Sequence, residues 1–237
     1  MLRQIRLSDQ VVQHIQAHIV EQGLHSGDRL PSESELARTL GVGRPTVREA
    51  MNLLAGAGLV RVSTGKPPLV GAITGDAISL IVTHAMAVKQ IAPLEVLEFR
   101  RHIETGVIAL VCERRTEADV DGFFAIVEDM QRLVGQFEEF SRADTAFHTL
   151  LSEATGNPVS EIVGAGISQV VLSSSRNGLR AVRSAEEWDM VPRLHRDIAE
   201  AVGDRNVEAA RAAMAAHFDV AASRLRRLAE HAEGVTE

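Results

Sequence analysis

Apolar side chains in the first sixty residues recur at helical spacing. In residues 8–23 they fall at i, i+4 and i+8, which places them on one stripe of an amphipathic helix, and they are Val11, Val12, Ile15, Ile19 and Val20. Ser8 is expected to cap this helix and Gly23 to end it. A second helix begins with a capping box in residues 32–35 and ends at Gly41. A third is predicted over residues 45–57.

The pattern then changes to two short apolar runs, residues 59–62 and 68–70, which predict strands. Glycine and proline between them indicate a hairpin loop. From Thr74 onward the apolar positions follow helical spacing alone. Helices are expected near residues 75–90, 93–114, 116–134, 137–155, 158–178, 184–203 and 204–231. The predicted fold is mainly α: an N-terminal winged helix-turn-helix with a small β-hairpin wing in residues 1–74, and a C-terminal all-α helical bundle in residues 75–237.

Composition indicates where such a chain works. Of its 237 residues, 45% are hydrophobic and 24% are charged, as in a globular protein. No run approaches the roughly 20 uninterrupted apolar residues of a membrane span, and the start lacks the apolar core of a secretory signal. A single cysteine, Cys112, excludes an intramolecular disulfide and fits a reducing compartment. We therefore expect a cytoplasmic protein without a membrane partner.

The net charge of −7 argues against a nucleic-acid partner until it is divided along the chain. Residues 1–75 hold eight basic and six acidic groups, a net charge of +2. The remaining residues hold 17 basic and 26 acidic groups, a net charge of −9. The acidity therefore lies in the second part, and the first part can meet a polyanion.

The third predicted helix carries side chains suited to DNA. Arg44 and Arg48 are spaced i, i+4 and project from one side of the helix, where arginine can contact guanine or phosphate. Thr46 can donate to a phosphate at the helix N-terminus. Gly65 and Lys66 at the hairpin tip would let the backbone approach DNA beside a positive charge. The alternative is a solvated basic helix end, since nearby acidic residues would repel phosphate if they faced it.

Two runs in this part, LPSESELA at residues 30–37 and LGVGRPTVREA at residues 40–50, resemble the GntR family of bacterial transcription regulators. The resemblance covers residues 8–72. It implies DNA contacts at Arg44, Thr46 and Arg48, and a minor-groove contact of the wing at Gly65. Relatives in the fatty-acid-regulator branch often carry arginine where this chain has Ser34. The missing charge predicts a weaker affinity or a changed half-site preference.

The second part holds a candidate metal site. Asp144 and His148 are spaced i, i+4 and therefore lie on one face of a single helix. His195 and His217 lie on either side of Gly203, as expected for facing positions on two antiparallel helices. Three imidazoles and a carboxylate can hold a divalent transition metal and leave positions open. The alternative for each histidine alone is a buried, hydrogen-bonded side chain without a metal.

This bundle also resembles the FCD effector-binding domain, through EFRRHIE at residues 98–104, DTAFH at 144–148 and MAAH at 214–217. The resemblance implies that the four candidate ligands bind a divalent metal ion, with zinc expected first and nickel or manganese also suitable. A metal in the bundle core would in turn take a small carboxylate effector, which Arg100 would hold as a bidentate fork, and the resemblance also implies an effector-side arginine near Arg100. Gln169, Ser173 and Arg176 are spaced i, i+4 and i+7 and could line the same cavity, or could form an ordinary polar helix face.

These features together predict a ligand-responsive transcriptional regulator, expected to be a repressor, that binds a palindromic double-stranded operator as a homodimer and is not an enzyme. A metal-sensing regulator, in which the ion itself is the signal, is one alternative. A metallohydrolase is the other, but the chain has no HExxH sequence and an enzyme gives no reason for a basic winged module.

Overall fold

Ten helices and two short strands make up the part of the chain that the structure describes. The computed structural model describes residues 6–180 and 184–233, without the side chains of residues 171–180, 185 and 231–233. The elements are α1 (Leu7–Glu21), α2 (Glu33–Leu40), α3 (Arg44–Gly56), β1 (Val60–Arg61), β2 (Leu69–Val70), α4 (Asp76–Ala87), α5 (Pro93–Arg114), α6 (Glu117–Arg132), α7 (Phe137–Glu153), α8 (Pro158–Arg180), α9 (Ala185–Gly203) and α10 (Val207–Glu233). The prediction of a mainly helical fold with a hairpin wing is confirmed.

The chain divides into two units, Met1–Ala77 and Ile78–Glu237. In the first, α1, α2 and α3 enclose a core of Val11, Ile15, Leu30, Leu36, Ala37, Val47, Ala50, Met51, Leu54 and Val60. The strands β1 and β2 pair antiparallel, with Val60 opposite Val70. The predicted capping box starts α2, because the Ser32 side chain accepts from the Glu35 N–H and the Glu35 carboxylate accepts from the Ser32 N–H.

The prediction that Ser8 caps α1 is wrong. The helix begins at Leu7, so Ser8 lies inside its first turn. Its side chain is buried, and the hydroxyl donates to the Glu49 carboxylate of α3 over 3.1 Å. Sequence spacing marked Ser8 as a cap residue, but a tertiary partner on another helix takes its hydroxyl.

The second unit is a bundle of α5 to α10 around one large apolar core. Buried side chains from all these helices except α8 meet there. They include Ile108, Val111, Phe123, Val127, Met130, Phe140, Phe147, Leu151, Ile198, Val202, Met214 and Phe218. Helix α8 packs on α7, and it contributes Ile167 and Val170 to a smaller cluster with Val96 of α5. No helix among the described residues has the length and apolar character that a membrane span requires.

Candidate functional site

Three histidines converge inside the second unit. His148 lies on α7, His195 on α9 and His217 on α10, and all three are buried, with exposed fractions of 1%, 0% and 7%. One ring nitrogen from each lies within 4.8 Å of the others. The ring centroids of His195 and His217 are 4.5 Å apart, as predicted for facing positions on the consecutive helices α9 and α10. The bundle therefore brings together three residues that are far apart in sequence.

Asp144 joins this cluster from the turn of α7 that precedes His148. Its Oδ1 lies 3.3 Å from Nε2 of His195, and its side chain is buried. Burial alone would raise the pKa of the Asp144 carboxyl, but the contact with His195 and the nearby His148 hold it well below its usual range. The structure thus places all four predicted ligands in one buried site, with Asp144 in its ionised form.

Hydrogen bonds at Nδ1 orient two of the rings. His195 Nδ1 lies 2.8 Å from the carbonyl oxygen of Val191, which can only accept, so Nδ1 carries a proton and Nε2 is turned towards Asp144. His148 Nδ1 lies 2.5 Å from Oε2 of Glu104. Both Nε2 atoms are buried; that of His148 has no hydrogen-bond partner among the described residues, and that of His195 faces the Asp144 carboxylate. Three buried ring nitrogens that converge beside an ionised carboxylate are ligands that a divalent transition metal prefers, so this donor set fits such an ion.

The protonation state of the rings suits the same role. Burial, followed by repulsion from the other two imidazoles, holds the pKa of His217 well below its ordinary value. Burial also lowers the pKa of His148, although the Glu104 carboxylate opposes the shift. Both rings are therefore neutral near pH 7, the form in which imidazole binds metal.

Glu104 was not among the residues singled out in the sequence, yet it connects two of them. It lies on α5, buried, and its Oε1 accepts from Arg100 Nε over 2.9 Å while its Oε2 contacts His148. Burial raises the pKa of this carboxyl, but the charge of Arg100 and the hydrogen-bond contacts with His148 and Arg100 outweigh burial, so the net shift is downward. Glu104 is thus an ionised carboxylate behind a candidate metal ligand.

Arg100 lies within this network rather than free in a cavity. Its side chain is 4% exposed, its guanidinium lies 5.5 Å from the ring centroid of Phe218, and Nε is taken by Glu104. Its Nη2 is buried without a hydrogen-bond partner among the described residues. A buried guanidinium with an unmatched donor is chemically suited to an anion.

The other three candidates for effector binding receive less support. Gln169 lies on α8, and its side chain is exposed. The side chains of Ser173 and Arg176 lie outside the described residues.

A further basic residue that the sequence did not single out is Arg224, which lies two turns after His217 on α10. It is 6% exposed, and its Nη2 donates to the Glu187 carbonyl over 2.7 Å. The sequence signal that could have found Arg224 is its spacing of seven residues from His217, which places both on the same face of a helix.

The first unit presents the predicted DNA-contacting residues on its surface. Arg44 and Arg48 are exposed on α3, and Thr46 is half-buried between them. Ser34 is exposed on α2. Gly65 and Lys66 are exposed at the tip of the hairpin; Gly65 has φ +74°, a conformation that a side chain would strain.

Comparison with known proteins identifies both units. Residues 7–70 match the family described as "Bacterial regulatory proteins, gntR family", and residues 95–220 match the FCD domain. The chain is a GntR-family regulator with an FCD domain. Its sequence is 32% identical over 198 residues to the HTH-type transcriptional regulator LutR of Bacillus subtilis, and the alignment covers 82% of this chain and 90% of LutR.

One further comparison agrees with the family, and another agrees with the fold. The HTH-type transcriptional repressor NanR of Citrobacter rodentium is 26% identical over 219 residues, covering 90% of this chain and 83% of NanR. The structure of a Streptococcus agalactiae GntR protein has the same fold, with a TM-score of 0.72 at 24% identity over 91% of this chain and 99% of that one. The relatives are transcriptional regulators, so the prediction that this chain is not an enzyme is confirmed.

Proposed function

We propose that this regulator binds a palindromic operator as a homodimer, as a repressor, and that a small carboxylate bound at a metal in its FCD domain changes that binding. The observation that carries the proposal is the convergence of His148, His195 and His217 beside Asp144 in one buried cluster, close to the buried Arg100. The similarity to LutR and NanR, which are HTH-type transcriptional regulators, supports DNA-directed regulation in general.

For DNA binding, the exposed face of α3 would enter the major groove and the hairpin would lie against the backbone or minor groove. Arg44 and Arg48 are the groups for base edges or phosphates, and Thr46 is a phosphate donor. Gly65 allows close approach of the hairpin tip, and Lys66 adds a positive charge there. Ser34 lies on the neighbouring helix, where a hydroxyl can contact phosphate but adds no charge.

Asp144, His148, His195 and His217 would hold the metal ion. Zinc, nickel and manganese all accept three imidazoles and a carboxylate, and zinc is expected first. When bound, the metal supplies a positive centre with open positions for an anionic ligand. Glu104 and the Val191 carbonyl hold the Nδ1 atoms, so that Nε2 of His148 and of His195 faces inward.

The effector would be a small acid whose carboxylate meets both the metal and the unmatched donor of Arg100. Because α7, α9 and α10 each contribute a ligand, an effector that changes their contacts can change the shape of the whole bundle. Two distinct sites coupled through two arrangements of the protein constitute allostery, and the coupling is reciprocal. DNA should therefore weaken effector binding by the same factor as the effector weakens DNA binding.

DNA binding is tested by selecting sites from a random duplex pool with the purified full-length protein. We expect a palindromic motif, and we expect the double variant Arg44→Ala/Arg48→Ala to lose affinity for it by at least 100-fold, as measured by fluorescence anisotropy. Arg193→Ala/Arg211→Ala, which removes exposed arginines from α9 and α10, is the charge-matched control and should bind like wild type. Retained affinity in the double variant would overturn the assignment of α3.

The effector site is tested by calorimetry with a panel of small hydroxy acids and sugar acids, before and after removal of metal by a chelator. We expect one class of acid to bind, and binding to disappear after chelation and to return with zinc. Unchanged affinity after chelation would contradict the metal-anchored site. If zinc without any acid switches DNA binding, the metal-sensing alternative is correct instead.

A further inference from the structure

One arginine of the proposed DNA-binding surface is already engaged by a carboxylate. Arg48 of α3 donates from both Nε and Nη2 to the same oxygen, Oε2 of Glu33, over 3.2 and 3.1 Å. The Arg48 side chain is 66% exposed and that of Glu33 is 26% exposed. Exposed ion pairs contribute little to folding stability, so stability alone does not explain this contact.

Both ends of the contact stand on firmly held backbone. Glu33 is the first residue of α2, directly after Ser32, whose capping box with Glu35 fixes the start of that helix. Arg48 follows Val47 on α3, and Val47 is fully buried in the core that α2 and α3 share. The carboxylate therefore occupies a defined position relative to the exposed face of α3.

The contact leaves a specific part of the guanidinium available. Nε and one hydrogen of Nη2 point to Glu33, whereas Nη1 and the second hydrogen of Nη2 are left at the end of the side chain. Two parallel donors at that end match O6 and N7 of guanine in the major groove. Building on the proposed DNA-binding function, we propose that Glu33 is a positioning residue that holds the Arg48 guanidinium for bidentate readout of guanine.

Charge separates this role from simple phosphate binding. A carboxylate about 3 Å from the guanidinium cancels most of its field, so the Glu33–Arg48 pair attracts phosphate poorly. Arg44 and Lys66 have no ion pair within the part of the chain that the structure describes, and they keep their full charge. The surface thus combines free cations, which suit phosphates, with one oriented guanidinium, which suits a base edge.

The test uses the full-length chain and sites selected from a random duplex pool. Wild type should select a motif with one guanine per half-site that Arg48→Lys no longer prefers, because lysine cannot form the bidentate contact. Glu33→Ala should lose about tenfold or more of the preference for that same guanine over the other bases. In an Arg48→Lys background, Glu33→Ala should cause no further loss. Glu21→Ala, which removes an exposed acid from α1, should keep the wild-type preference.

A second measurement separates positioning from charge. Arg44→Ala should reduce the slope of log affinity against log salt by about 0.9 per subunit, whereas Arg48→Ala should leave the slope nearly unchanged. A thermal melt with wild-type midpoint shows that Glu33→Ala is folded. If Glu33→Ala binds every sequence more tightly and keeps its guanine preference, Glu33 only screens charge and the inference is overturned. If wild type selects no motif at all, the proposed function fails and the inference fails with it.

Discussion

Each oxygen of Glu104 has a separate partner, and this arrangement ties the candidate metal site to the candidate effector anchor. Oε2 holds Nδ1 of His148, and Oε1 accepts from Arg100. Because the carboxylate can only accept, it fixes the proton of His148 on Nδ1 and leaves Nε2 as the ligand atom. The same carboxylate holds Arg100 through Nε, which leaves the other guanidinium nitrogens for an anion.

Replacing Glu104 by glutamine should lower the affinity for zinc by about 10- to 100-fold. The amide removes the negative charge behind His148 and can present a donor to Nδ1, which favours the wrong tautomer. The measurement is competition between the purified protein and a chromophoric chelator at pH 7. Glu98→Gln changes an exposed acid on the same helix and should bind zinc like wild type. Equal affinities of the two variants would contradict a role for Glu104 behind the metal.

The sequence could predict His148 and Asp144 as partners because both lie on one helix face at a spacing of four. It could not predict Glu104, which is one of several acids on α5 and whose partner His148 lies 44 residues away on another helix. The same limit applies to Glu33 and Arg48, which are joined across two helices. Contacts within a helix follow from its period, whereas contacts between helices depend on how they pack.

At the scale of elements, α7 and α8 approach closely where Gly164 faces Ser152. A side chain on Gly164 would overlap the Oγ and Cβ of Ser152. The Ser152 hydroxyl in turn donates to the carbonyl of His148, so the helix that carries two candidate ligands is held at this contact. The close packing at Gly164 therefore helps to hold α7, and with it His148, in place at the candidate metal site.

Gly164→Ala should reduce the free energy of unfolding by about 1–3 kcal/mol, because the added methyl group forces α7 and α8 apart. Zinc affinity should fall in the same variant. Gly106→Ala is the matched control: nothing lies near an added Cβ there, so the change should be neutral or stabilising by up to about 1 kcal/mol. Urea denaturation followed by circular dichroism gives both values. Equal stability of the two variants would show that α7 and α8 can separate without cost.

Element boundaries were predicted well where the chain contains a local stop. Pro93 and Pro158 begin α5 and α8, and Gly203 ends α9, within a few residues of the sequence-based bounds. The strands are shorter than predicted, two residues each, because pairing between β1 and β2 sets their length rather than the apolar run. The cap at Ser8 was wrong for a similar reason, since a residue on α3 takes its hydroxyl.

For the whole molecule, the uneven charge sets how strongly one copy can hold DNA. Residues 1–75 carry a net charge of +2, and the rest of the chain carries −9. Affinity for DNA rises with the number of phosphates that are neutralised, and here few cations are available per copy. Arg44 and Lys66 remain unpaired within the described residues, while Arg48 is occupied by Glu33. One copy on one half-site should therefore bind weakly. A second copy doubles the number of cations that contact the operator.

Two linked half-sites should accordingly bind far more tightly than one. We expect the selected palindrome to be bound at least 100-fold more tightly than a duplex with a single half-site, because the second contact forms at a high effective concentration. Inserting five base pairs between the half-sites turns them to opposite faces of the duplex and should remove the gain, since paired recognition helices need half-sites about one helical turn apart. Fluorescence anisotropy at fixed salt measures all three duplexes. A single half-site bound as tightly as the palindrome would mean that one copy suffices and that the homodimer has another purpose.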